Sequence, residues 1–111
     1  MSQAIPEADW KLLRQLQPAA LERFCQRVLS EVERIAADAG QTNHERYLAL
    51  HELMRRRDKE LADAFDYLRR STAIFQLARM RSLDLVTDDE LSRFSPETRD
   101  AVGALAALRR G

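Results

Sequence analysis

The chain has 111 residues, of which 45% are hydrophobic and 32% charged, and its formal net charge is zero. This balance excludes a disordered chain, and the zero net charge gives no global field toward nucleic acid or anionic lipid. Glycine and proline number only three each, so few turns and long helices are expected. Residues 1–111 are therefore interpreted as a single all-α domain.

The cysteine content and the N-terminal residues bear on the compartment. Cys25 is the only cysteine, so no disulfide can form within the chain, which favours a reducing environment. Residues 1–10 lack the basic and apolar regions of a secretion signal. No apolar run approaches the roughly 20 residues that a membrane span needs. We expect a cytoplasmic protein without a membrane partner.

Two helices are predicted before the first glycine. Pro6 opens a short helix over about residues 6–16, because proline is favoured at the first helical position. Pro18 opens a second, longer helix over about residues 18–39, whose apolar residues recur at spacings of three and four. Gly40 is expected to end this helix in a left-handed conformation.

A long central helix follows. Thr42 and Glu45 have the spacing of a capping box, and neither glycine nor proline occurs again before Pro96. A seam with alternating spacings of four and three runs through this segment: Tyr47, His51, Met54, Asp58, Leu61, Phe65, Leu68, Thr72 and Phe75. It predicts one helix over about residues 43–82, packed antiparallel to the helix over 18–39. Such a helix would be roughly 60 Å long. It must either break near residues 71–72 or be covered by a second chain, and the unbroken seam favours continuity.

The C-terminal part contains two further helix starts. Thr87 and Glu90 form a second capping-box pattern, which opens a short helix ending near Phe94. Ser95 and Pro96 then supply an N-cap and a first helical position for a last helix. The predicted architecture is a bundle of about five helices.

Two polar residues interrupt the seam of the central helix. His51 and Asp58 are seven residues apart, so they share a face but lie about 10.5 Å apart along the axis. If buried, they could respond to protons or fix the register of a helix pair, and the second role is the better functional hypothesis. The structural alternative, that neighbouring groups satisfy them or that they lie at the edge of the face, is favoured.

An arginine-rich stretch raises the possibility of nucleic-acid binding. Residues 55–81 carry eight basic and four acidic side chains. Arg55, Arg56, Arg69 and Arg70 are the candidate phosphate contacts, since basic helices neutralise phosphates. Several of these charges have a carboxylate four residues away, however, as in the pair of Glu52 and Arg56. A solvated charged face is therefore favoured over a nucleic-acid site.

The segment 73–80 is apolar around its whole circumference. Ile74, Phe75, Leu77 and Met80 point in nearly all directions on a helical wheel. Such a segment must be covered on more than one side. Either the short terminal helices of the same chain cover it, or it forms a contact with a second copy or with a partner helix. The sequence leaves both possibilities open.

No pattern typical of catalysis, a metal site or a cofactor is present. The soft metal ligands are limited to His44, His51 and Cys25, without a zinc-binding spacing, and there is no glycine-rich phosphate loop. We therefore predict a non-enzymatic interaction module without a cofactor, acting as a homodimer or docked on another helical protein. The alternative is a nucleic-acid-associated regulator.

Overall fold

The computed structural model describes residues 5–110, without the side chains of residues 109 and 110. In this range the chain forms five α-helices and no strand. They are α1 Glu7–Ala36, α2 Asn43–Phe65, α3 Ala73–Ser82, α4 Asp88–Ser92 and α5 Pro96–Arg110. The predicted all-α fold class is confirmed, but the boundaries of three predicted helices are wrong.

The first correction concerns Pro18, which lies inside α1 and does not start a helix. The helices predicted over 6–16 and 18–39 are one helix of 30 residues. An internal proline removes one backbone hydrogen bond and costs about 3 kcal/mol. Pro18 itself is exposed, and buried residues before and after it share one face of the helix: Leu13, Leu16, Ala20 and Phe24. Burial of this continuous stripe keeps the helix intact.

α1 also ends a few residues earlier than expected. α1 ends at Ala36, and Gly40 does not adopt a positive φ, so it is not the left-handed cap that was predicted. The predicted capping box of α2 is confirmed. The Thr42 hydroxyl accepts a hydrogen bond from the Glu45 amide at 3.0 Å, and the Glu45 carboxylate accepts one from the Thr42 amide at 2.8 Å.

The second correction concerns the central helix, which is not continuous over 43–82. α2 ends at Phe65, Asp66 is extended, and Tyr67 has a φ of 53°. No glycine or proline lies between residues 41 and 95, so neither residue type causes this break. The cause is tertiary: a straight helix would leave the all-round apolar segment after residue 72 uncovered. Bending after Phe65 lets α3 fold back onto α1 and α2.

Polar contacts hold the bend in place. The Gln76 amide nitrogen, buried on α3, donates to the carbonyl of Asp66 at 2.9 Å and to that of Ala64 at 3.4 Å. Its amide oxygen accepts a hydrogen bond from the Thr72 hydroxyl at 2.6 Å. The end of α2 and the start of α3 are therefore joined through one side chain.

α1 and α2 run in opposite directions. The rings of Phe24 and Phe65 are 6.3 Å apart at one end of the contact. Arg57 forms a salt bridge of 2.8 Å with Glu31 in the middle. At the other end Arg46 donates to the backbone carbonyl of residue 36 at 2.5 Å.

The hydrophobic core lies where α3, α5 and the turn after α3 meet the first three-quarters of α1 and the end of α2. Its fully buried side chains include Ile5, Leu13, Leu77, Met80, Leu85, Val86 and Val102. Each half of the chain contributes, so the core joins the N-terminal helix pair to the three C-terminal helices.

Two polar clusters attach the C-terminal helices to α1. The buried Asp9 carboxylate accepts hydrogen bonds from the Ser95 amide and hydroxyl and from the Thr98 hydroxyl, at the start of α5. Burial opposes ionisation, but these hydrogen bonds outweigh it and lower the pKa of Asp9. Arg23 pairs with Glu90 at 2.7 and 2.8 Å and also donates to the Leu85 carbonyl.

The bend makes a testable contribution to stability. We expect Gln76→Leu to lower the free energy of unfolding by about 2 kcal/mol, because two carbonyl groups lose their donor. Urea denaturation followed by circular dichroism measures this. Gln26→Leu, on the exposed surface of α1, is the matched control and should change stability by less than about 0.5 kcal/mol. Equal effects of the two substitutions would contradict the role of Gln76.

The Arg23–Glu90 pair predicts a pH dependence. The hydrogen bonds from Arg23 lower the pKa of Glu90 from 4.5 to about 2. A folded-state pKa below the unfolded one gives stability that is complete above about pH 5 and lost as the pH falls toward 2. At pH 7 we expect Glu90→Gln to be less stable than wild type by about 1–2 kcal/mol. Urea unfolding between pH 7 and 2 should show the gap narrowing below pH 4.5, and a gap that stays constant would argue against this pair.

Candidate functional site

The C-terminal end of α1 and the N-terminal part of α2 project from the core as a two-helix arm. We define the arm as residues 29–58. Only one of its side chains is buried, that of Leu53 at 1% exposure, and Leu53 does not belong to the core cluster. The radius of gyration is 16.6 Å, whereas a compact domain of this length would have about 13 Å. The longest dimension is 52 Å.

Exposed hydrophobic side chains are concentrated on this arm. Seven large hydrophobic residues of the described chain are exposed, and four of them are on the arm: Leu29 at 60%, Tyr47 at 68%, Leu48 at 50% and Met54 at 43%. The other three are Tyr67, Phe75 and Leu108. Scattered exposed hydrophobic residues are ordinary, but a contiguous group is typical of an interaction site.

Four of the arm's residues face away from α3, which packs on the opposite side of the helix pair. On α1, Arg27 donates to the carbonyl groups of Leu83 and Asp84 after α3. At 100° per residue, Leu29 and Ala36 lie about 160° and 180° from Arg27. On α2, the Asp63 carboxylate lies 3.9 Å from Arg79 of α3. Tyr47 and Met54 lie about 160° and 180° from Asp63.

These positions define one surface, which we call the arm face. It consists of Leu29, Val32 and Ala36 on α1 and Tyr47 and Met54 on α2. Leu48, about 120° from Met54, lies outside it. Val32 is half-buried and packs against the core cluster, and the others are exposed. Two antiparallel helices that expose apolar side chains on one face can accept a third helix or a second helix pair.

The predicted polar pair lies on this surface. His51 and Asp58 are both exposed, and they occupy the stripe of Tyr47 and Met54 on α2. The seam that the sequence indicated therefore does not face α1 in the arm. The positions that do are Leu50, Leu53 and Arg57, which are buried or half-buried. Arg57 is satisfied there by Glu31 and Glu60.

The structure separates the four predicted partner contacts. Leu77 and Met80 are fully buried in the core of the chain itself, and Ile74 is half-buried against that core. Phe75 is 65% exposed, in a groove that Leu105 and Leu108 of α5 also line. The chain's own helices thus cover most of the all-round apolar segment, and Phe75 is the residue left accessible.

The four candidate phosphate contacts are distributed over two elements. Arg55 and Arg56 are on α2, where both approach Glu52, at 2.8 and 3.9 Å. Arg69 and Arg70 are on the loop between α2 and α3. Arg70 pairs with Glu7 at 2.8 Å and donates to the carbonyl of residue 5. Carboxylates therefore offset much of this positive charge.

Other kinds of site find little support in residues 5–110. That range contains no cluster of three or more histidine, cysteine, aspartate or glutamate side chains arranged to hold a metal ion. None of its helices combines the length and the apolar character that crossing a membrane requires. Comparisons with protein-family models, with curated proteins and with solved structures find no match to the chain.

The sequence did not single out the arm face. Tyr47 and Met54 were placed on a seam that was expected to be packed. Periodicity identifies an apolar stripe but not what covers it. The signal that distinguishes the arm is three-dimensional: α3 folds back near the base of α1 and α2 and leaves their distal ends uncovered.

The isolation of the arm predicts independent opening. We expect Leu53→Ala to speed amide hydrogen exchange in residues 44–54 at least about tenfold, because Leu→Ala in a buried site costs more than about 2 kcal/mol. Exchange in the base of α1, residues 13–24, should not change. Mass spectrometry of peptides at low micromolar concentration measures both. As a control, Leu77→Ala should speed exchange throughout the core. A uniform effect of Leu53→Ala would show that the arm and core open together.

Proposed function

We propose that this protein is a non-enzymatic interaction module that docks a helical partner on the arm face. The observation that carries the proposal is the position of three exposed large hydrophobic side chains, Leu29, Tyr47 and Met54, on one face of an arm with only one buried residue. A two-helix hairpin with so little buried surface gains stability from further packing. A partner helix that packs along the arm face would supply this packing.

The chemistry of the arm face favours a protein partner. Tyrosine and methionine are enriched at protein interfaces, since the tyrosine ring buries a large area and the flexible methionine side chain adapts to irregular apolar surfaces. His51 and Asp58 add polar groups beside Tyr47 and Met54, as is usual where an interface must also be soluble when free. The partner is either a second copy of the chain or another helical protein, and the expected location is the cytoplasm.

Phe75 provides a smaller second contact on the opposite side of the chain, where its ring and Leu108 form an apolar groove with α5. Among the four contacts predicted around α3, it is the one that a partner could reach without unfolding the core. The nucleic-acid alternative is not favoured, because its four candidate arginines are divided between α2 and the loop after it. Arg70 is also held by Glu7 and by the carbonyl of residue 5.

A photo-crosslinking experiment in the native cells tests the docking surface. Benzoylphenylalanine at position 47 should give a discrete crosslinked product, and Met54→Lys in the same chain should reduce its yield at least about tenfold, because a charge would then be buried in an apolar contact. The same amino acid at position 67 is the matched control, since Tyr67 is 83% exposed but lies off the arm. The proposal fails if position 47 gives no product, or only the products that position 67 gives.

A further inference from the structure

We propose that the partner on the arm face is a second copy of this chain, related by a two-fold axis parallel to α1 and α2. The two arms would then form a four-helix bundle in which α1 of each copy packs on α2 of the other. This inference rests on the proposed function, and it adds the identity of the partner and the geometry of the contact.

The register of the proposed contact follows from a salt bridge within one chain. Glu31 and Arg57 pair at 2.8 Å, so these residues lie at the same height along the antiparallel helices. Glu33 lies two residues further along α1, and Arg55 lies two residues back along α2. These two residues are therefore also at the same height as each other. A two-fold axis parallel to the helices preserves height. It therefore brings Glu33 level with Arg55 of the second copy.

Both residues also lie on the correct side of their helices. Glu33 is about 140° from the buried Val28, and Arg55 is about 160° from the buried Leu53, so both lie on the outer edges of the pair. When one arm face covers another, the outer edge of α1 meets the outer edge of α2 of the other copy. Flanking positions of this kind carry the interhelical salt bridges of coiled coils and bundles.

Their charges are available for this contact. Glu33 is exposed and forms no ion pair with any described residue. Arg55 is paired only with Glu52, three residues away on the same helix, and both side chains are about half exposed. Surface pairs of this kind contribute little, about 0–1 kcal/mol, so Arg55 can be shared with a second carboxylate. The symmetry would form two Glu33–Arg55 contacts.

Charge also disfavours the other symmetric arrangement. A two-fold axis perpendicular to the helices would place α1 on α1 and α2 on α2. The acidic edges with Glu22 and Glu33 would then face each other, as would the basic edges with Arg55 and Lys59. Like charges at such positions destabilise a helix pair, and opposite charges select the orientation.

The apolar residues fit the same arrangement. By the register above, Met54 is level with position 34 of the second copy, between Val32 and Ala36 on its arm face. His51 and Asp58 interrupt the apolar stripe, and polar residues at such positions restrict helix pairs to one register. The helix-to-helix contact between residues 29–36 and 52–58 is only about 10 Å long, so we expect a dissociation constant no tighter than the micromolar range.

Charge exchange combined with sedimentation equilibrium tests the inference at 1–200 μM chain. The wild type should be a dimer at the upper concentrations. Glu33→Arg and Arg55→Glu should each raise the dissociation constant about tenfold, and the double variant should restore it to within about threefold of wild type. Glu97→Arg, on the exposed surface of α5, is the control and should leave the constant unchanged. Circular dichroism checks that every variant is folded.

The outcomes distinguish this inference from the proposed function. A wild type that stays monomeric at 200 μM, or a double variant that does not recover, overturns the second copy as partner. If position 47 then crosslinks to a different protein, the docking function stands with another partner. If position 47 gives no specific product at all, both proposals fail. A recovered double variant together with a crosslinked product of twice the chain mass supports both.

Discussion

The fold depends on the need to cover one short segment that is apolar on every side. Leu77 and Met80 on α3 are completely buried, and helices before and after α3 contribute to their surroundings. A continuous central helix could not have met this requirement within one chain. The chain meets it by bending after Phe65, and Gln76 satisfies the carbonyl groups that the end of α2 leaves unpaired. The Asp9 and Arg23 clusters then attach the remaining helices to the same core.

The same requirement explains the exposed arm. α3 and its neighbours cover the base of the α1–α2 pair, and they are too short to reach its distal end. The hydrophobic residues that continue the apolar pattern there have no cover within the chain. Their exposure is thus a consequence of where the core is placed, and it is the basis for the docking function proposed for this surface.

Local signals in the sequence were reliable predictors. Thr42, Thr87 and Ser95 each mark a helix start at the expected position, because a cap depends only on residues within one turn. The helix start at Pro18 and the continuous helix past Phe65 were wrong predictions, because both depend on contacts between distant parts of the chain. In both places tertiary burial outweighed the local preference, so a proline remained within a helix and a segment without glycine or proline was broken.

For the candidate site, too, some features could be predicted from the sequence and others could not. Its residue types and helical spacing were visible in the sequence, and His51, Met54 and Tyr47 were correctly placed on one stripe. The direction of that stripe was not visible, because the positions that face α1 differ from the seam positions by only about one residue. A shift of 100° turns a packed face into an exposed one. Likewise, periodicity could not show that the core would cover Leu77 and Met80 but not Phe75.

The turn over residues 37–42 has a consequence for how this protein could vary. It connects the two helices at the far end of the arm, and no residue between 33 and 60 takes part in the core cluster. Inserting one heptad into each helix next to this turn would lengthen the arm by about 10 Å while the core kept its contacts. The arm can therefore act as a spacer whose reach is set independently of the domain that carries it.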